Sequence, residues 1–289
     1  MNHRLRSYPP GESVKKTAER LLREHALVFE ADWGLPENGE PNAIAPGQKG
    51  NFWVSDRKNH RILEIDGKGG AVRVIGGKGS NAGLFETPSG LMDAFGALFV
   101  CDYHNRRVQV FKHGSQEIRI IDGLSNPFQM VKVGETAFAV AEKQHKKVRL
   151  FSQDLDEIGM IMVGREKKLY PTFGMGFDAS AQRLLVSEAH RVFSYALSAG
   201  GERPTCCYHS EELSLDNINE LVFDGEGTLY VLDRVKKMIG KLFADGSLAE
   251  FVMPDTIVSV ERILPYKDRK LYVVDSEGAK IHVFKPPGF

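Results

Sequence analysis

The chain has 289 residues, of which 42% are hydrophobic and 26% charged, a composition typical of a folded globular protein. Lys and Arg number 38, as do Asp and Glu, and this formal net charge of zero excludes a globally basic nucleic-acid binder and an acidic disordered tail. No apolar run approaches the roughly 18 residues of a membrane-spanning helix.

The N-terminal part predicts two elements. Residues 1–25 are expected to form a short helical extension capped by Ser13, which either folds against the rest of the chain or docks a partner. Its apolar face would carry Val14, Ala18, Leu21 and Leu22. The segment lacks the apolar core of a secretory signal, and three cysteines indicate a reducing compartment, so we expect a cytoplasmic protein. Residues 26–32, ALVFEAD, read as a single strand.

From residue 40 onward the chain is built from a repeat. Each unit contains a short apolar strand that ends in an acid, and the six acids are Asp56, Asp102, Glu142, Glu188, Asp233 and Asp275. A polar turn and another apolar strand follow each acid, and a further strand precedes it. Each unit therefore predicts four short antiparallel strands.

Six four-stranded units of this length predict an all-β, six-bladed β-propeller over residues 26–289. The chain ends near the third strand of the sixth unit, so we expect the strand at 26–32 to complete the last blade and close the ring. Closure removes the exposed sheet edges that favour aggregation.

The segments VSDRKNHRILEI and VCDYHNRRVQVF, the second preceded by TPSG, resemble the NHL repeat. The fourth unit has two residues fewer between its acid and the next strand, and the fifth has one residue more. The resemblance implies a six-bladed propeller whose relatives include RNA-binding modules, protein-binding modules, lyases and metal-dependent lactonases. Since one fold serves so many functions, it constrains function weakly.

The resemblance also implies structural ion pairs, because a cation five residues after each acid would pair with it. The expected pairs are Asp56 with Arg61, Asp102 with Arg107, Glu142 with Lys147 and Asp275 with Lys280. The remaining cations of these turns would form a basic face: Arg57, Lys58, Arg106, Lys143, Lys146, Arg234, Lys236 and Lys237. This face is either a solvated surface or a binding site for an anionic partner. For RNA, Tyr103 is the one evident stacking platform.

The start of each innermost strand predicts the mouth of the central channel, with Asn42, Ser89, Phe128, Thr172, Asn219 and Glu261 in the six units. Resemblance to gluconolactonase-like propellers implies oxygen ligands for Ca²⁺ or Zn²⁺ at this point, and these would be Asn42, Asn219 and Glu261. The alternative is a wet channel lined by polar strand ends. If the chain is an enzyme, candidate bases are His60, His104, His145 and His190.

The sequence therefore favours a monomeric, non-enzymatic propeller that binds a protein or an anionic ligand at its basic face and channel mouth. A metal-dependent hydrolase or lyase in the channel is the first alternative. Binding of RNA or another polyanion is the second.

Overall fold

The computed structural model describes residues 28–163, 173–188, 191–197, 205–209, 217–224, 226–242, 248–266 and 269–285. The helix expected within residues 1–25, and His190, lie outside this part of the chain. The described residues form six antiparallel four-stranded sheets, the blades of the predicted propeller. No helix among them is long and apolar enough to cross a membrane.

Five blades use four consecutive strands each. Blade 1 has β2 (Pro41–Pro46), β3 (Phe52–Asp56), β4 (Arg61–Ile65) and β5 (Ala71–Gly76). Blade 2 has β6 (Pro88–Ala94), β7 (Ala97–Asp102), β8 (Arg107–Lys112) and β9 (Ile118–Ile121). Blade 3 has β10 (Pro127–Val133), β11 (Ala137–Glu142), β12 (Lys147–Ser152) and β13 (Glu157–Met162).

The other blades follow the same order. Blade 4 has β14 (Met175–Asp178), β15 (Arg183–Glu188), β16 (Arg191–Ala196) and β17 (Thr205–His209). Blade 5 has β18 (Ile218–Phe223), β19 (Leu229–Asp233), β20 (Met238–Leu242) and β21 (Leu248–Val252). Blade 6 has β22 (Val260–Pro265), β23 (Leu271–Asp275), β24 (Lys280–Lys285) and, from the other end of the chain, β1 (Val28–Gly34). Short 3₁₀ turns span Pro36–Asn38 and Gln48–Gly50.

The N-terminal strand closes the ring, as predicted. Strand β1 pairs antiparallel with β24, from Val28 opposite Lys285 to Gly34 opposite Lys280. Trp33 anchors the closure, because its ring packs 5.5 Å from that of Phe52 and 5.1 Å from that of Tyr272. The last blade is thereby joined to the core of the first.

One sequence position repeats through all six blades and explains much of the core. The residue two places before each acid is a valine with no exposed surface; these are Val54, Val100, Val140, Val186, Val231 and Val273. A β-branched side chain suits a buried strand packed on both faces. The innermost strands approach closely, and a Cβ on Gly174 would lie 2.5 Å from the Cα of Glu220.

The extra residue expected in the fifth unit is not present. Strand β20 begins at Met238, five residues after Asp233, which is the spacing from Asp56 to Arg61 in blade 1. The third strand of this unit therefore begins two residues earlier than its apolar pattern predicts. Met238 takes the position that a cation occupies in blades 1 and 2.

Candidate functional site on the acid face

The six acids end the second strands on one face of the ring, called the acid face below. Five of them, in every blade but the fourth, are described with their side chains and are fully buried. Each accepts a hydrogen bond from a backbone N–H just before the innermost strand of its own blade, at 2.6 to 3.0 Å. The donors are Glu40, Glu86, Ser125, Asn217 and Ser259. The carboxylate therefore fixes the loop that leads to the channel.

In the first three blades a cation on the third strand also reaches the acid. Arg61 Nε lies 2.9 Å from Asp56, and Arg107 Nε lies 2.8 Å from Asp102. In blade 3 the contact is longer, with Lys147 Nζ 3.6 Å from Glu142. Buried carboxylates need such partners, because an unpaired buried charge is costly.

The expected pair of Asp275 with Lys280 is wrong. Lys280 Nζ lies 3.1 Å from Asp32 on the closing strand, and His282 Nε2 lies 3.3 Å from Asp275. Ring closure brings a new carboxylate beside Lys280, which the repeat pattern alone does not contain. Burial alone would raise the pKa of Asp275, but backbone N–H donors, led by that of Ser259, outweigh it and lower the pKa.

The turns after the acids form the crown of the acid face. In five blades the fourth residue after the acid adopts a left-handed backbone with φ between 46° and 57°. These residues are His60, Arg106, Lys146, Lys237 and Ala279. A non-glycine residue there costs about 1 kcal/mol, so the repeated conformation is held by the buried acid.

Several crown cations predicted to be unpaired are engaged within the chain. Arg57 pairs with Glu40, and Arg234 pairs with Glu261. Three others donate to backbone carbonyls: Lys58 to Asn38, Arg106 to Leu124 and Lys237 to Ile257. Lys143 and Lys236 are exposed, and Lys146 is half-buried. Of the eight predicted cations, two are therefore neutralised by glutamates, and three others keep their charge while they donate to backbone carbonyls.

The described crown histidines lie in separate blades, each with Nδ1 engaged. His60 Nδ1 accepts the N–H of Thr87 at 3.0 Å, so the proton of the neutral ring is on Nε2. His104 Nδ1 lies 2.8 Å from Thr87 Oγ1, and His145 Nδ1 lies 2.6 Å from Ser125 Oγ. Neutral His60 thus presents a hydrogen-bond donor.

The three residues proposed as metal ligands do not fit a cation. Glu261 is ion-paired with Arg234, and Asn219 Oδ1 accepts the backbone N–H of Arg234 at 3.0 Å. Asn42 is buried nearby in the innermost strand of blade 1. Within the described ranges, no group of three or more His, Cys, Asp or Glu side chains could hold a metal ion. The Arg234 guanidinium already neutralises the Glu261 carboxylate that a bound cation would need.

The channel mouth has two unlike halves. On blades 3 and 4, Phe128 and Phe173 meet edge to face with centroids 5.2 Å apart, and Tyr103 packs against the same cluster. Phe173 belongs to this cluster, and the predicted Thr172 lies outside the described residues. Burial raises the pKa of Tyr103. On blades 5, 6 and 1 the mouth carries amides and ion pairs instead.

Deeper in the channel, one arginine joins opposite blades. Arg262 of blade 6 donates from Nη2 to the carbonyl of Phe128 in blade 3 at 3.0 Å. Its Nη1 lies 3.7 Å from Glu220 Oε1, and Glu220 Oε2 accepts the N–H of Ile263 at 2.7 Å. Burial raises the pKa of Glu220 to about 7, although Arg262 acts in the opposite direction. The Arg262 side chain therefore crosses the channel.

The chain resembles known six-bladed propellers in structure. A streptogramin B lyase superposes with a TM-score of 0.64 at 11% identity, over 90% of this chain and 97% of that one. A catalytically inactive virginiamycin B lyase from Staphylococcus aureus with quinupristin gives 0.62 at 12%, over 89% and 99%. A gluconolactonase from Xanthomonas campestris gives 0.67 at 12%, over 93% of each chain.

These likenesses establish the fold alone. No family model and no curated protein matches the sequence. The NHL resemblance therefore rests on the residues of the first units.

Sequence reasoning missed Glu220 and Arg262, although a signal existed. Both are charged residues inside innermost strands that are otherwise mainly apolar, in NELVF and ERIL. A charge in such a strand must meet a partner in the channel. Which partner it meets depends on how the blades are arranged around the ring.

We expect Glu220 to make the stability of the protein fall between pH 5 and pH 8. Its folded pKa of about 7 exceeds the ordinary glutamate value of 4.5, so its contribution is fully present below about pH 4.5 and is lost as the pH rises through 7. The full effect amounts to about 3 kcal/mol. Chemical denaturation across this range should show a smaller fall for Glu220→Gln than for the wild type.

Glu135→Gln is the matched control, because Glu135 is an exposed carboxylate whose side chain is 89% exposed. It should leave the pH profile unchanged. Equal profiles for the wild type and Glu220→Gln would show that Glu220 ionises normally in the folded chain.

Proposed function

We propose that this chain is a non-enzymatic, NHL-like propeller that binds a partner protein with the acid-face crown of blades 5 and 6. An exposed apolar pair beside cations supports this proposal. Val235, at the tip of the blade 5 turn, is 74% exposed, and Val258, in the loop that enters blade 6, is 49% exposed. Lys237 Nζ donates to the Ile257 carbonyl at 2.8 Å and joins the two loops.

The chemistry of this patch favours a protein over a nucleic acid. Apolar side chains rimmed by charge are typical of protein interfaces, and Lys236 lies exposed beside Val235. A polyanion binder needs many available cations, whereas Arg57 and Arg234 are neutralised by glutamates. We therefore expect an apolar anchor on the partner, flanked by acidic residues.

Val235→Asp should disrupt this interface, because it places a charge at the centre of the apolar pair. For a partner identified with the wild-type chain, we expect affinity to fall by roughly tenfold or more in a titration. Lys236→Glu should weaken binding more at low salt than at high salt, since it acts through charge.

The control is Val72→Asp, which changes another exposed valine, 56% exposed on the outer strand of blade 1. It should leave binding unchanged. A partner that binds the Val235→Asp variant as tightly as the wild type would contradict the proposal.

An enzyme at the channel mouth is the second candidate, and the structural neighbours favour it, because two of them are lyases and one is a gluconolactonase. A lyase or hydrolase here would use the mouth between the aromatic half and Arg234. His60 could donate a proton from Nε2 to a leaving group. Asn42, Asn219 and Glu261 would bind substrate rather than metal, since Arg234 already neutralises Glu261.

Metal removal distinguishes a metal-dependent enzyme from the binding protein and from the metal-free enzyme described above. We expect EDTA to leave the melting temperature of the purified protein unchanged, because Arg234 fills the role of a cation at Glu261. Elemental analysis should find no stoichiometric Ca²⁺ or Zn²⁺. A bound ion, with a melt lowered by EDTA, would instead support a lactonase-like site.

A further inference from the structure

A groove of about 830 Å³ lies between blades 1 and 2, on the face opposite the acids. It is formed where the β2–β3 and β8–β9 turns meet the start of β5. Its volume is that of a small-molecule site and is too small for a folded partner. None of the residues predicted from the crown or the channel mouth lines it.

A histidine is fixed at the groove by a half-buried carboxylate. Asp93 accepts the indole N–H of Trp53 at 2.8 Å and lies 3.0 Å, through either oxygen, from His113 Nε2. A carboxylate only accepts, so Nε2 carries a proton and donates it. In the neutral ring, Nδ1 is then a hydrogen-bond acceptor.

Nδ1 of His113 is available to a ligand. It makes no hydrogen bond to any residue that the structure describes, and the side chain is 18% exposed where it lines the groove. The ring stacks nearly parallel to Trp53, with an interplanar angle of 10°, and the Arg73 guanidinium lies 5.0 Å from the Trp53 ring. The imidazole orientation is therefore set before any ligand arrives.

The walls of the groove combine an apolar surface with charged side chains. Ile75, Phe111 and Ile118 are partly exposed along it. Three cations and two carboxylates line it. Both carboxylates are ion-paired, Glu64 with Arg73 at 3.3 Å and Glu117 with Lys112 at 3.8 Å. Lys49 has no carboxylate partner among the described residues, and it is exposed at the rim.

We infer that this groove is a binding site for a small amphipathic carboxylate that carries a hydroxyl group. The hydroxyl donates to His113 Nδ1, the apolar body lies against Phe111 and Ile75, and the carboxylate faces Lys49. Each group of this ligand meets a complementary group of the wall. The site is independent of the acid face and of the protein interface proposed there.

The test uses 4-hydroxyphenylacetate and phenylacetate, which differ by one hydroxyl, in calorimetric titrations of the full chain. We expect the hydroxylated compound to bind about tenfold more tightly, because it satisfies His113 Nδ1. His113→Phe, which keeps an aromatic ring, should abolish this preference. Lys49→Ala, an exposed change that leaves the core intact, should weaken both compounds.

Lys143→Ala, an exposed lysine on the acid face, is the matched control and should change neither titration. Failure of both compounds to bind in the millimolar range overturns the inference. So does equal binding of the two compounds, or binding that His113→Phe and Lys49→Ala leave unaltered, which would be binding at probe concentration only.

Discussion

The ring depends on a buried carboxylate that ends the second strand in each of the five blades whose acid side chain the structure describes. This group accepts a backbone N–H from the loop entering the innermost strand, and so it joins the second strand to the channel wall of the same blade. The residue that begins the third strand is Arg, Lys or Met in different blades, whereas the N–H donor recurs in every blade described with its acid. The hydrogen bond from this backbone N–H to the acid, called the tether below, is therefore the feature that these blades share. The ion pair with the third strand is present in only some of them.

The same tether decides what the acid face can bind. In blades 1, 5 and 6 the same acid also accepts a backbone N–H from the turn that follows it, so the crown side chains stand at repeated positions around the ring. The chain then uses many of these positions internally, pairing Arg57 with Glu40 and Arg234 with Glu261. The surfaces that we propose for recognition are exposed ones, the apolar pair of Val235 and Val258 on this face and the His113 groove on the other.

The sequence predicts the ring well because each blade is specified locally, by a valine, an acid and a turn at fixed spacing. It predicts the closing strand because one unit lacks a strand. Contacts between distant parts of the chain are harder to predict from the sequence, because Arg234 pairs with a glutamate 27 residues later and Lys280 pairs with Asp32 at the other end of the chain. Asp93 and His113 are ordinary turn-end residues in the sequence, and the groove exists only once blades 1 and 2 are packed together.

Backbone amide exchange tests the tether most directly. The amides of Glu40, Glu86, Ser125, Asn217 and Ser259 lie outside the strands, where amides normally exchange fast. The account predicts that they exchange as slowly as amides in β3 and β7, and that Asp102→Asn accelerates Glu86 more than the other four. Exchange as fast as that of Gln116, an exposed amide in the β8–β9 turn, would contradict a structural role for the acids.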